Sequence, residues 1–307
     1  MTFAKKASLA AGAALVGTGL ALPVLAQSTI NGAGATFPAA FYQRAFAGVA
    51  NRVRVNYQSV GSGAGVRQYI AGTVDFGATD EPIKDAEAAK VKRGVVQFPA
   101  IGGTIAVAYN KSDCKGLKLT QKQVVDIFLG NIKTWDQLKC GKGRLTVAHR
   151  SDGSGTTFAF TNSLSAFSSE WKSKVGEGKS VKWPVGVGGK GNEGVAGVIN
   201  NTPGSIGYLN QAFVKGAIKA AAVQNKAGKF VLPTEASGVA ALNNIRLDER
   251  LAGEDPNPAG ANSYPISTLT WILAYKTGNG SNAGAIREAM LYLLSPRAQN
   301  QAEILGY

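Results

Sequence analysis

Three times in this chain a β-like run gives way to a loop of Gly, Ser and Thr and then to a helix start. "TINGAGAT" runs into "FPAAFYQRAF", "VNYQSVGSGAG" into "VRQYIAG", and "LTVAHRSDGSGTT" into "FAFTNSLSAF". Strands alternating with helices in this way predict an α/β architecture with largely parallel sheets, and open sheets of that kind bind ligands at the carboxyl ends of their strands. A helix start leaves free backbone N–H groups and carries a partial positive charge, and glycine lets a ligand approach the main chain closely. For one such loop, ordinary turn and capping chemistry is sufficient explanation. Three together predict a cradle for an anion.

The rest of the chain supports the same architecture. "VRVNY" from Val53 alternates apolar and polar as a half-buried strand does, and "TIAVAYN" from Thr104 is continuously apolar and β-branched, as a buried strand is. Phe37, Phe41, Ala45 and Val49 recur every four residues, and Pro38 suits the first turn of that helix. "LTQKQVVDIFLG" from Leu119 opens with a Thr cap and ends on Gly130. The 39 glycines sit in short turns, and no heptad, fixed-period repeat or long low-complexity segment is present.

"MTFAKKASLAAGAALVGTGLALPVLA" has Lys5 and Lys6 ahead of an apolar run that closes on Val24-Leu25-Ala26. It reads as a secretory signal peptide cleaved near Ala26, since the run is Gly-rich, broken by Pro23 and shorter than the roughly 20 residues of a membrane span. No Cys stands directly after that point, which predicts a free exported protein rather than a lipid-anchored one. The remaining chain of about 281 residues suits two domains of ordinary size. Its two cysteines, Cys114 and Cys140, are expected to form one disulfide in an oxidising compartment, worth about 3 kcal/mol in the chain-entropy account.

Lys and Arg outnumber Asp and Glu by 33 to 19, and the resulting positive field concentrates anions. These cations are scattered rather than gathered into an arm or an aromatic-studded stripe, so nucleic acid is not the expected partner. Catalysis by Ser154 is disfavoured too. It lacks the first Gly of a nucleophile elbow, and so does Ser62, while the single histidine, His149, precedes Ser154 instead of following it. "GSGAGVRQ" lacks the Lys-Ser/Thr of a nucleotide P-loop. Neither a metal nor a cofactor is called for.

Binding suits the residues better. Hydroxyls of Thr36, Ser62, Ser154 and Thr156, with backbone N–H groups at Phe37, Gly155 and Thr156, form a ring of neutral donors. Arg150 adds a planar, permanently charged fork matched to two oxygens of a tetrahedral oxyanion. Charge-assisted hydrogen bonds contribute about 1.5–3 kcal/mol each, so a handful exceeds the roughly 8 kcal/mol of micromolar binding. Asp80, in "VDFGATDEPI", would decide which anion binds. A carboxylate repels an anion unless the ligand brings a proton to share, and phosphate near neutral pH carries one while sulfate does not. The other reading of Asp80 is a cap on the turn before Pro82.

With these residues in view, "NGAGATFPAAFYQ", "VNYQSVGSGAGVRQYIAGTVDFGATDEPI", "RSDGSGTTFAFTNSL", "VKWPVGVGGKGNEGVAGVINNTPGSIGYL" and "YPISTLTWILAYK" resemble the periplasmic phosphate-binding proteins of bacterial phosphate ABC transporters. The motifs follow the family's order over nearly the whole exported chain. The resemblance implies a two-lobed type II periplasmic binding protein fold, with a ligand cleft between lobes and a two-stranded hinge. It divides the chain into 27–108 plus 261–307 for the first lobe and 109–260 for the second. The family's ligand contacts fall on Thr36, Phe37, Ser62, Asp80, Arg150, Ser154, Gly155 and Thr156. Asp152 matches the carboxylate that holds the arginine, and Asp80 the one that takes the ligand's proton. The implied function is high-affinity binding of inorganic phosphate in the periplasm by a monomer, and its delivery to the membrane permease and ATPase subunits of an ABC transporter. Binding of another protonated oxyanion such as arsenate, and an exported phosphoester hydrolase, are the alternatives. Cys114 and Cys140 lie outside the shared motifs, so their bridge is an expectation from the residues alone.

Overall fold

A computed structural model describes residues 27–307; the expected signal peptide and its cleavage point lie outside the described residues. The strands are β1 (Ser28–Gly34), β2 (Val53–Ser59), β3 (Phe76–Thr79), β4 (Val95–Asn110), β5 (Lys118–Leu119), β6 (Thr146–Arg150), β7 (Val187–Gly189), β8 (Ser205–Asn210), β9 (Lys219–Ala220), β10 (Ala222–Gln224), β11 (Phe230–Val231) and β12 (Ser267–Tyr275). The helices are α1 (Ala39–Ala47), α2 (Ser62–Ala71), α3 (Asp85–Ala88), α4 (Gln121–Leu129), α5 (Gly155–Phe167), α6 (Ser169–Lys174), α7 (Gly191–Asn201), α8 (Glu235–Leu242), α9 (Ala283–Leu293) and α10 (Pro296–Leu305). The fold is mixed α/β and two-lobed.

The main sheet runs β2-β1-β3-β12-β4-β8-β6-β7, with β9 paired to β4, and β11-β10-β5 form a separate small sheet. One strand serves both halves of the main sheet. Val95–Thr104 of β4 pairs with β12, and Ile105–Asn110 pairs with β8. The expectation of largely parallel sheets therefore needs correction. Parallel pairing holds in the outer parts, β1 with β2 and β3, and β6 with β7 and β8. At the centre β12–β3, β12–β4 and β4–β8 are antiparallel. The physical reason is direction: β4 carries the chain out of the first half and the Tyr264–Ser267 stretch brings it back, and oppositely running strands pair antiparallel. The two crossings are joined where the Ile105 N–H donates to the Ile266 carbonyl at 2.8 Å.

Local chemistry sets the helix ends. Thr120 accepts from the Gln123 N–H to cap α4, and Gly130 closes it in the left-handed region at φ 78°. Pro38 stands one place earlier than the first turn, at the cap position of α1, where its missing N–H costs nothing. Each half has its own set of aromatic ring contacts within one continuous hydrophobic core. Phe37, Phe41, Tyr42 and Phe76 are buried in the first, and Phe128, Phe160, Trp171 and Tyr208 in the second. Such side chains stabilise by about 1.5–3 kcal/mol each when fully buried. The segment from α8 onward lies along the first half: the Trp271 Nε1–H donates to the Leu251 carbonyl at 2.7 Å and the Gln97 amide to that of Arg250 at 3.0 Å. The expected Cys114–Cys140 disulfide is present in the second half, with its Cα atoms 4.9 Å apart.

Candidate functional site

The three loops singled out in the sequence converge on one cleft. From the first half, Thr36 and Phe37 follow β1, Ser62 opens α2 and Asp80 follows β3; from the second, Arg150 ends β6, Ser154 caps α5, and Gly155 and Thr156 begin it. Thr36, Ser62, Asp80, Arg150, Ser154 and Thr156 are all buried. The walls touch across the cleft. The Thr156 hydroxyl donates to Asp80 Oδ2 at 3.1 Å, and the Gly63 N–H donates to the Gly153 carbonyl at 2.8 Å. Gly155 is required there: a Cβ on it would fall 2.6 Å from Ser62 Oγ and 2.7 Å from the Asp80 backbone N. At Gly61, in the left-handed region with φ 88°, a Cβ would collide with the Asp152 carboxylate.

The groups that line the cleft are held from behind. The Phe37 ring packs edge-on to Tyr307, whose hydroxyl donates to the Phe37 carbonyl at 2.7 Å, so the start of α1 is anchored. On the other wall the Arg150 N–H donates to the Tyr208 hydroxyl at 3.1 Å, and that hydroxyl shares a 2.6 Å hydrogen bond with Thr157. Tyr208 is itself stacked on Phe160. Ser154 Oγ accepts from the Thr157 N–H, capping α5 and leaving its proton to donate outward. His149 stacks on Trp183 and its Nδ1 lies 3.0 Å from the Arg150 carbonyl, so the imidazole is engaged along its own strand rather than at Ser154.

The electrostatics separate the two aspartates. Asp152 grips Arg150 in bidentate fashion, with Nε to Oδ1 at 2.7 Å and Nη2 to Oδ2 at 2.6 Å, and accepts from the Gly191 N–H at 3.0 Å. Burial pushes Asp152 up, but the Arg150 hydrogen bonds and charge, with the Gly191 N–H, outweigh it and hold the carboxyl below the usual range. Burial pushes Asp80 up to about 6, against the lowering pull of Thr270, Arg150 and Thr156. At the rim, Lys179 of the second half reaches Glu81 at 2.9 Å and Glu87 at 3.2 Å on the first.

Two residues of the site escaped the sequence reading. Thr270, in mid-β12, donates to Asp80 Oδ1 at 2.7 Å; nothing local in the sequence marks it. Asn192, in the first turn of α7, bridges Thr36 and Thr156. A signal for it did exist, because "VGGKGNEGV" is a fourth strand, glycine loop and helix start of the same form as the other three. The arrangement as a whole is a buried ring of hydroxyl and N–H donors, one fixed guanidinium and one high-pKa carboxyl. It can hold a small oxyanion that brings a proton.

Comparison with known proteins agrees with this geometry. Residues 17–297 match the model of the PBP superfamily domain. The phosphate-binding protein PstS of Haemophilus influenzae is 41% identical over 304 residues, covering 93% of this chain and 90% of that one. The protein of the same name from Pasteurella multocida is 44% identical over 264 residues, covering 81% and 76%. Among solved structures, a DING protein superposes with a TM-score of 0.75 at 22% identity, over 90% of this chain and 89% of that one. A phosphate ABC transporter substrate-binding protein from Clostridium perfringens superposes with a TM-score of 0.69 at 18% identity, over 91% and 98%. These last two likenesses concern the fold. With the superfamily domain matched over most of its length and relatives this similar, the chain belongs to the PBP superfamily and, within it, to the family of phosphate-binding proteins PstS.

Proposed function

We propose that this protein binds inorganic phosphate between its two lobes, outside the inner membrane, and delivers it to the permease of a phosphate ABC transporter. The observation that carries the reading is Asp80, a buried carboxyl with its pKa pushed up to about 6, set among donors and facing the Arg150 wall. An anion that brings a proton can meet that acceptor; one without a proton meets a repulsive lone pair. The relatives named above are called phosphate-binding proteins, and the C. perfringens neighbour is described with bound phosphate. Thr36, the Phe37 N–H, Ser62, Ser154, Gly155 and Thr156 act as donors, Arg150 supplies charge, and Asp152 holds Arg150 in place.

The lobes divide as 27–108 plus 261–307 and 109–260, with the stretch from α8 to Leu251 resting on β4 and β12 of the first. Phosphate enters when the lobes part about the two crossing segments; the contact of Lys179 with Glu81 belongs to the closed form, and the proton that Thr156 gives to Asp80 here turns to the ligand when it binds. Closure about a hinge buries the ligand and lets donors from both walls act together. The protein works as an exported monomer that docks on membrane permease and ATPase subunits and performs no turnover. Isothermal titration with phosphate and with sulfate tests this. Heat with phosphate and none with sulfate is expected, and the absence of heat with phosphate would sink the reading.

A further inference from the structure

We infer that Asn192 is a positioning residue of the anion cradle, one that fixes the hydroxyls of Thr36 and Thr156 as donors and ties the two walls together. The inference rests on the phosphate-binding reading above and extends it to a residue on a fourth loop. Its geometry is unambiguous. The Asn210 N–H donates to Asn192 Oδ1 at 2.8 Å, which makes that atom the oxygen and leaves the amide Nδ2 facing the cleft with two protons to give. Those protons go to Thr36 Oγ1 at 2.8 Å and Thr156 Oγ1 at 3.3 Å. The Asn192 backbone N–H adds a third bond, to Thr36 Oγ1 at 3.0 Å.

A threonine hydroxyl has two acceptor positions and one proton. On Thr36 both acceptor positions are taken by Asn192, so the hydroxyl can act toward a ligand only as a donor. On Thr156 they are taken by Asn192 and by Arg150 Nη1 at 3.5 Å, and its proton points to Asp80 Oδ2, the face where an anion sharing the Asp80 site would lie. A free hydroxyl turns to suit any neighbour; these two are turned in advance. Thr36 belongs to the first wall and Thr156 to the second, so the same side chain also fastens the closed cleft. Asn192 is buried, which makes its bonds worth more than exposed ones and their loss harder to replace by water.

Isothermal titration with phosphate on Asn192→Ala, Thr36→Val and the double variant tests this. Asn192→Ala is expected to weaken phosphate about tenfold or more, the loss of one to two buried hydrogen bonds. Because Asn192 acts partly through Thr36, the double variant should bind better than the product of the two single losses by about threefold or more. A side chain that merely supported α7 would give independent, multiplying losses, and that result would overturn the inference. So would Asn192→Ala binding phosphate as the unaltered chain does. Asn192→Leu keeps the volume and is run beside it; if circular dichroism shows that neither variant folds, Asn192 is a structural residue and the inference falls. The unaltered chain is titrated first. No heat there defeats the proposed function itself, whereas binding by the unaltered chain with undiminished binding by Asn192→Ala defeats only the role of Asn192.

Discussion

Each wall of the cleft carries an aspartate that feels the charge of Arg150, and the two are in opposite states. On the second wall Asp152 is paired in bidentate fashion with the guanidinium and, despite partial burial, is held below the usual carboxylate range. On the first wall Asp80 is wholly buried, is met by the hydroxyls of Thr270 and Thr156, and is pushed up to about 6. Identical chemistry is thus made into a permanent anion in one place and a proton acceptor in the other. Paired geometry decides the difference: full charge on the partner and two parallel bonds outweigh desolvation, while neutral hydroxyls and a more distant charge do not.

The largest expected effect comes from breaking the charged wall. Arg150→Ala removes the fork and leaves Asp152 without its partner, so phosphate affinity should fall about a hundredfold or more by calorimetric titration. Retention within tenfold would mean that the second wall does not supply the charge. Asp152→Ala sharpens the contrast from the other side. It strands Arg150 in the protein, and urea denaturation of the phosphate-free protein should show a loss of about 3 kcal/mol. Added phosphate should recover more stability in this variant than in the unaltered protein, because it gives Arg150 a counter-charge.

Asp80→Asn gives the smallest and most selective effect. With the folded pKa raised from 3.8 to about 6, neutral Asp80 stabilises the fold in acid, and that contribution is lost as the pH rises through about 6. The stability of the unaltered, phosphate-free protein relative to Asp80→Asn should therefore fall by about 2 kcal/mol between pH 4 and pH 7 and level off above. Thermal denaturation across that range checks the sign. A difference that does not vary with pH would show that Asp80 is not the titrating group. The same variant should admit sulfate, since an amide can turn a donor toward an unprotonated oxygen.

The sequence exposed the cradle because its parts are local. A helix start with glycine before it, a hydroxyl at the cap and an arginine at a strand end are all visible within a dozen residues, so Thr36, Ser62, Arg150, Ser154 and Thr156 could be picked out before any fold was known. Thr270 could not. It lies in the middle of an ordinary strand and meets Asp80 only because β12 pairs beside β3. The parallel outer sheet followed from strand and helix alternation, while the antiparallel centre depended on where the chain crosses between halves, which no short pattern encodes.

What the sequence determined by itself, then, is the set of loops and the chemistry each can offer, because caps, glycine turns and apolar periods are fixed by neighbours along the chain. Only the tertiary structure decided how those groups are used. Residues distant in sequence had to meet before Asp80 could be desolvated, Asp152 clamped and Asn192 brought to bear on two hydroxyls at once. A pKa and the direction of a hydroxyl proton are set by what lies within a few ångströms in space.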